Sequence, residues 1–520
     1  MRPFFIPCWR LERIVFATHL TPPLIRSALF SIDNKNLFFY IDNTFHEGAD
    51  RGAVPRAANG ATRGKPKPED PSMDAFFLSR LQFALTIGFH YIFPPLSIGL
   101  GILLVLMEAR YIKTRDALYL DMTKFWAKIF ALTFALGVAS GIVMEFQFGT
   151  NWSIYSRFVG DVFGSALAAE GIFAFFLESG FLAILLFGWN RVKPKVHFFA
   201  TCMVALGAHF SAVWIIVANS WQQTPAGHHI VQAGGVARAE IVDFWSLVFN
   251  PSTLDRLSHT LAGAWQAGAF LVLSVAAYYS LRKKHDRFSA AALKIALPIA
   301  VFSSLLQLFT GHQSAQGVAE TQPAKLAAFE GHYEACAPAD MYLFGWVDEK
   351  EEKVRFGVRI PGLLSWMVHG SCSTPVTGLK AIAPQDRPPV NIVFQTYHLM
   401  VIIGMGLIAL SLAALFFHLR GTLRRKNWLL WILVFSVLGP QVANQVGWAS
   451  AEIGRQPWIV YQLLRTSDAW SPNVSTGELY FSLLLFSIIY ALLLALFLYL
   501  LNDKIQKGPG NTPSLEGHRA

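Results

Sequence analysis

Nine runs of about twenty mostly apolar residues decide what this chain can fold into. They fall at roughly 81–107, 128–148, 166–188, 197–219, 259–281, 292–311, 391–417, 428–449 and 478–501. A segment of that length spans the hydrocarbon of a bilayer as a helix, and a helix satisfies its own backbone hydrogen bonds where no water can. The expected fold is therefore an all-α integral membrane protein with nine transmembrane helices. Composition agrees: hydrophobic residues make up 53% and charged residues 15% of the chain, against a charged share of about 25% in soluble domains.

Lys and Arg in the connections set the expected orientation. The first, third, fifth and seventh connections carry ARYIKTRDALYLDMTKFWAK, NRVKPK, LRKKHDR and HLRGTLRRK. The second, fourth and eighth hold only Arg157, then Arg238 and Arg256, then Arg455 and Arg465. The odd connections and the C-terminal tail are thus expected in the cytoplasm, with the start of the first span outside. The net charge of +10 follows from this bias and from the tails, so no nucleic-acid surface is read from it.

Residues 1–72 stand apart. MRPFFIPCWRLERIVFATHL lacks the apolar centre and cleavage site of a signal peptide, and HEGADRGAVPRAANGATRGKPKPEDPS is rich in Gly, Pro, Ala and Arg. The segment is expected to be a disordered extension or a mis-called start, dispensable beside Met73. Beyond it, 73–311 should hold spans one to six, 312–390 an external loop, 391–501 spans seven to nine and 502–520 a cytoplasmic tail. Of four cysteines, Cys336 and Cys372 share the external loop, where an oxidising compartment permits a disulfide; Cys202 reads as a helix residue packed in the bundle.

Ionisable groups at membrane depth mark function by default. Glu170 and Glu178 lie in SALAAEGIFAFFLESGFLAILLFGW. Their eight-residue spacing puts them about 12 Å apart and within a quarter-turn of one helix face, a proton-relay geometry or else a packed pair. His90, His259 and Met400 are haem-ligand types near the outer edge, and His/Met is an axial pair for electron-transfer haem. His398 competes with Met400 for that role. Trp448 and Glu452, at i,i+4, share a face with Arg455 one turn on, which reads either as a reactive carboxylate with its cation or as a salt-bridged anchor.

These residues sit in long, specific strings: SRLQFALTIGFH, DMTKFWAKIFALTFALGVASGIVMEFQFGTNW, AAEGIFAFFLES, VALGAHFSAVWIIVANSW, PAKLAAFE and AEIGRQPW. Over about 73–500 the chain resembles subunit I of the cytochrome bd family of quinol oxidases. The resemblance implies haems bound between helices near the outer face, oxidation of quinol there and reduction of oxygen to water. By matching position, His90 and Glu452 resemble axial ligands at the oxygen site, and His259 and Met400 the axial pair of the low-spin haem. Glu170 and Glu178 resemble proton-delivering carboxylates, with Glu145 and His197 as further path residues. Lys325 and Glu330 resemble the quinol-binding pair, Trp448 an aromatic between haems, and Arg455 the cation beside Glu452.

The short external loop, with GHQSAQGV, resembles the cyanide-insensitive branch. The implied cofactors are two or three haem b groups, the oxygen site taking haem d or a third haem b. His312 and Gln313 stand where better-known members have acidic residues, Gln445 where they have Glu, and His398 where they have Arg. The implied partners are subunit II, a small single-helix subunit, the quinone pool and oxygen, in a bacterial inner membrane, with protons taken from the cytoplasm and a gradient made without pumping. Competing readings are a haem b electron-transfer subunit that does not meet oxygen, and a proton or ion carrier without haem.

Overall fold

A computed structural model describes residues 71–510, so the expectation for 1–72 lies almost wholly outside the described residues. Among those described, nine helices are long and apolar enough to cross a membrane: Asp74–Thr114, Ala117–Thr150, Gly160–Phe187, Pro194–Gln223, Thr253–Leu281, Asp286–Thr321, Pro384–Leu419, Asn427–Ile453 and Thr476–Lys507. They are called here the first to ninth spans. Their number and order match the apolar runs. The even-numbered connections are long and gather at one end, the loop-rich end; the short odd-numbered ones form the basic end.

Local sequence explains where the spans start and break. Asp116 caps the second span by accepting from the Leu118 N–H at 2.9 Å, and Ser475 with Glu478 forms a capping box on the ninth, satisfying N–H groups that have no partner within the helix. The first span is two helices, Pro71–His90 and Phe93–Thr114. Pro94 and Pro95 cannot donate to the carbonyls four residues back, so the helix breaks immediately after His90. Pro440 acts similarly in the eighth span, which divides into Asn427–Phe435 and Leu438–Ile453.

The fifth span lies in the centre, and most residues of its middle stretch, TLAGAWQAGAFLVLSVAA, are buried. Small residues let neighbouring helices approach closely where lipid removes the hydrophobic drive between them. At Gly99 of the first span an added Cβ would lie 2.7 Å from the Gly268 N of the fifth, and at Gly268 one would lie 2.6 Å from Gly99 Cα. Around this seam packs a core that includes Phe93, Leu100, Trp126, Phe270, Leu293, Leu430 and Tyr490. By contrast the second and third spans turn Phe146, Phe173 and Phe176 outward.

Three two-stranded hairpins at the loop-rich end qualify the all-α expectation. They are β1 (His228–Ala233) with β2 (Val236–Ile241), β3 (Met341–Asp348) with β4 (Lys353–Ile360), and β5 (Trp458–Val460) with β6 (Leu464–Arg465). The acidic VDEKEEK stretch is the turn of the β3–β4 hairpin, with Asp348 opposite Lys353. The sixth helix continues to Thr321, ten residues past the expected edge, and a short helix Pro323–Glu330 follows at once. Cys336 and Cys372 are both exposed free thiols, and Cys202 is half-buried.

Gly268→Val should overpack the first–fifth seam and destabilise the assembled protein by about 1–3 kcal/mol or more. A thermal melt of the detergent-solubilised protein checks this; an unchanged midpoint would mean that the seam can open without cost.

Candidate functional site

At the loop-rich end a buried knot of charge forms around Glu452, in the last turn of the eighth span. Its Oε2 pairs with Arg455 Nη2 at 2.5 Å. Its Oε1 accepts from Asn219 Nδ2 and Gln223 Nε2 of the fourth span, both at 3.1 Å, and lies 3.8 Å from Arg256 Nη2 in the first turn of the fifth. Arg256 also donates to Asn219, and Lys325 Nζ donates to Gln223 Oε1. Thus Lys325, Arg256 and Arg455 surround one carboxylate. Arg256 Nε and Arg455 Nη1 are buried without hydrogen-bond partners.

Unpaired buried donors and excess cation are costly unless an anion completes them. Burial first, then Arg256 and Arg455, hold the Lys325 amine well below its ordinary value, with Glu452 pulling the other way. Lys325 therefore relieves part of the excess by tending to the neutral form. Glu330, on the same short helix, is five residues away and so about 140° around it. The two do not face each other. Glu330 is 2% exposed with Oε2 unpartnered, and burial pushes its carboxyl up to about 8. Beside it Phe329 stacks on Tyr397, centroids 4.4 Å apart.

The two candidate histidine ligands are held alike. His90 Nδ1 lies 3.0 Å from Ser140 Oγ, and His259 Nδ1 lies 3.0 Å from Thr310 Oγ1. Neither Nε2 has a hydrogen-bond partner among the described residues. Met400 points its sulfur at Gly447, where an added Cβ would lie 2.6 Å from Sδ; only glycine leaves this slot. His398 has both ring nitrogens facing carbonyls, Phe394 at 2.9 Å and Tyr342 at 2.8 Å. It ties the seventh span to β3. Trp448 is half-buried one turn before Glu452.

The carboxylates of the third span are better aligned than their spacing implies. Gly171–Phe175 forms a π-helical turn, with the Phe176 N–H donating to Gly171 O, and the extra residue makes an eight-residue offset behave like a seven-residue one. Glu170 and Glu178 then lie within about 20° of each other. Ser211 of the fourth span donates to Glu170 Oε1 at 2.5 Å. Glu178 packs on Gly207, where an added Cβ would come within 2.9 Å of its own. Glu145, on the second span, is exposed on the protein surface.

At the basic end His197 Nδ1 meets Glu108 Oε1 at 2.7 Å, and Thr201 donates to Glu108 Oε2 at 2.5 Å. Glu108 was missed in the sequence because it ends an apolar run beside a basic connection, where a charge ordinarily reaches water. Asn219, Gln223 and Arg256 were also missed; amides and an arginine at span ends carry no signal until their partners are known. Ser211, Ser140 and Thr310 look like ordinary helix hydroxyls.

This geometry can be set beside known proteins. The model of cytochrome bd terminal oxidase subunit I matches residues 78–509. The chain belongs to that family. It is 39% identical over 446 residues to cytochrome bd ubiquinol oxidase subunit 1 of Bacillus subtilis (strain 168), covering 84% of this chain and 94% of that one. It is 35% identical to cytochrome bd-II ubiquinol oxidase subunit 1 of Escherichia coli (strain K12), covering 84% and 97%. The bd oxidase structure from Geobacillus thermodenitrificans superposes with a TM-score of 0.79 at 29% identity, over 85% of this chain and all of that one. The chain therefore belongs among haem-containing membrane oxidases.

Since burial favours the neutral Glu330 carboxyl, infrared spectra should show it protonated at neutral pH and ionising only as pH rises through about 8. The band should be absent in Glu330→Gln. An ionised carboxylate at neutral pH would contradict the environment described.

Proposed function

We propose that this chain is the haem-bearing subunit of a terminal oxidase that oxidises quinol at the loop-rich, outer face and reduces oxygen to water, drawing the protons for water from the basic, cytoplasmic end. The observation that carries the reading is the knot at Glu452, whose excess cations and unpaired guanidinium nitrogens suit the carboxylates of bound haem. Two histidines with unbonded Nε2 atoms add ligand-ready nitrogens. The resident groups would be two or three haem b, with haem d or a third haem b at the oxygen site. Haem, when bound, supplies electron storage and an open iron position for oxygen.

In this reading His259 and Met400 together would hold the low-spin haem, and His90 and Glu452 would each hold one of the two haems at the oxygen site. Gly447 holds the Met400 sulfur in place, and the carbonyls around both nitrogens of His398 favour Met400 over it. Glu452 Oε2 has one protein donor and keeps a lone pair for a metal. Each quinol gives up two electrons and two protons; two quinols meet the need of one oxygen for four electrons. Lys325, tending to the neutral amine, takes a quinol proton at the knot, and the neutral Glu330 carboxyl donates a hydrogen bond on the Tyr397 side.

Four protons enter from the other end. Glu108 and His197 share one at the basic end, and Glu178 and then Glu170 align it toward the loop-rich end, with Glu145 beyond. Charge separates across the membrane without a pump, because quinol protons leave on one side and water protons arrive from the other. Subunit II and a single-helix subunit are the proposed partners, and the outward Phe146, Phe173 and Phe176 offer apolar surface to them or to lipid. The short 322–383 connection supports the cyanide-insensitive type.

Met400→Leu should abolish the low-spin absorption band while membrane insertion persists; an unchanged spectrum, or loss of the band only in a His398 variant, would sink the assignment. Glu178→Gln and Glu170→Gln keep size and hydrogen bonding but cannot ionise. Oxygen reduction should slow at least tenfold in each while quinol still reduces the low-spin haem at the wild-type rate. Wild-type turnover in both would leave the pair a packing role.

A further inference from the structure

The surroundings of His90 and His259 repeat each other. Ser140 lies 50 positions after His90 and Thr310 lies 51 after His259, each on the next span. In both cases the residue after the hydroxyl is glycine. Added Cβ atoms at Gly141 and Gly311 would lie 3.3 Å from the histidine Cε1 and 3.8 Å from its Nδ1, so both rings lie flush against a neighbouring backbone that has no side chain there.

Each hydroxyl is also committed on its other side. Ser140 Oγ donates to Leu136 O at 2.7 Å, and Thr310 Oγ1 donates to Leu306 O at 2.9 Å. A hydroxyl has one proton. With that proton given to its own helix, the oxygen can only accept from the imidazole. Nδ1 must therefore carry the histidine proton, and Nε2 is left with a lone pair facing away from the hydroxyl. We infer that Ser140 and Thr310 are positioning residues that fix the tautomer and rotation of His90 and His259, so that each presents Nε2 to a haem iron, and that their hydrogen bonds raise the basicity of those ligands. The inference rests on the ligand reading above and adds to it the hydroxyl–glycine pair on the following span as a device used twice in one chain.

The test uses the intact oxidase complex. In Thr310→Val, which keeps shape and removes the acceptor, the midpoint potential of the low-spin haem should rise, because a less basic imidazole stabilises the ferric state less; Thr310→Ser should restore it. In Ser140→Ala the iron–histidine stretching band in the resonance Raman spectrum of the reduced complex should move to lower frequency, and Ser140→Thr should bring it back. Wild-type potential and band in Thr310→Val and Ser140→Ala at full haem occupancy would overturn the inference. Should Thr310→Val lose haem, Thr310→Ser decides: haem kept at the wild-type potential supports the hydroxyl, and haem lost or at a shifted potential overturns it. His259→Ala tests the underlying reading separately: survival of the low-spin band there would refute the ligand assignment itself, whereas loss of the band there with a wild-type potential in Thr310→Val would refute only the role of the hydroxyl.

Discussion

The ion pair between Glu452 and Arg455 is the contact on which the loop-rich end depends. Through Asn219 and Gln223 it holds the fourth span, through Arg256 the fifth, and through Gln223 it reaches Lys325 of the short helix. Removing one partner of a buried ion pair typically costs about 3–5 kcal/mol, because the other is left uncompensated. Here the imbalance already exists, with more cationic groups than carboxylates. Such an imbalance suits an anionic group, and in the proposed reading this joins the stability of the fold to occupancy of the site.

The rest of the bundle brings that end to the right place. Small residues at the first–fifth seam let two backbones touch, which brings His90 and His259 onto neighbouring central helices. The proline pair after His90 ends one helix and begins another, so His90 is the last residue of its helical segment. Outward surfaces on the second and third spans carry exposed aromatic side chains such as Phe146, Phe173 and Phe176, with Glu145 a charged exception.

In the proposed reading proton handling follows a different logic from charge storage. The knot gathers cations around one carboxylate, whereas Glu170 and Glu108 contact hydroxyls and a histidine, groups that can pass or accept a proton, and Glu178 packs on a glycine. The fourth span supplies the other side of this line at His197, Thr201, Gly207 and Ser211. One helix thus faces all three carboxylates from the basic end to mid-depth, and the same helix ends in the knot at Asn219 and Gln223.

The nine spans and their order were legible in the sequence, and His90, His259, Met400, Glu170, Glu178 and Glu452 stood out there as candidates. Length and apolarity dictate a membrane helix almost locally, and a charged or ligand-type residue inside one stands out against its neighbours. The hairpins were not legible, because the strands fully bury only isolated residues, such as Ala239, Val347 and Val460, and so show no alternating apolar face. The alignment of Glu170 with Glu178 is closer than the quarter-turn that spacing alone gives, since a π-helical turn inserts a residue without leaving a mark in composition. Tertiary structure alone decided the partners: Arg256 for Glu452, Glu108 for His197, Thr310 for His259. Each joins positions about fifty to two hundred apart on different helices, and such pairing depends on how the helices rotate and pack, which no local run of residues determines.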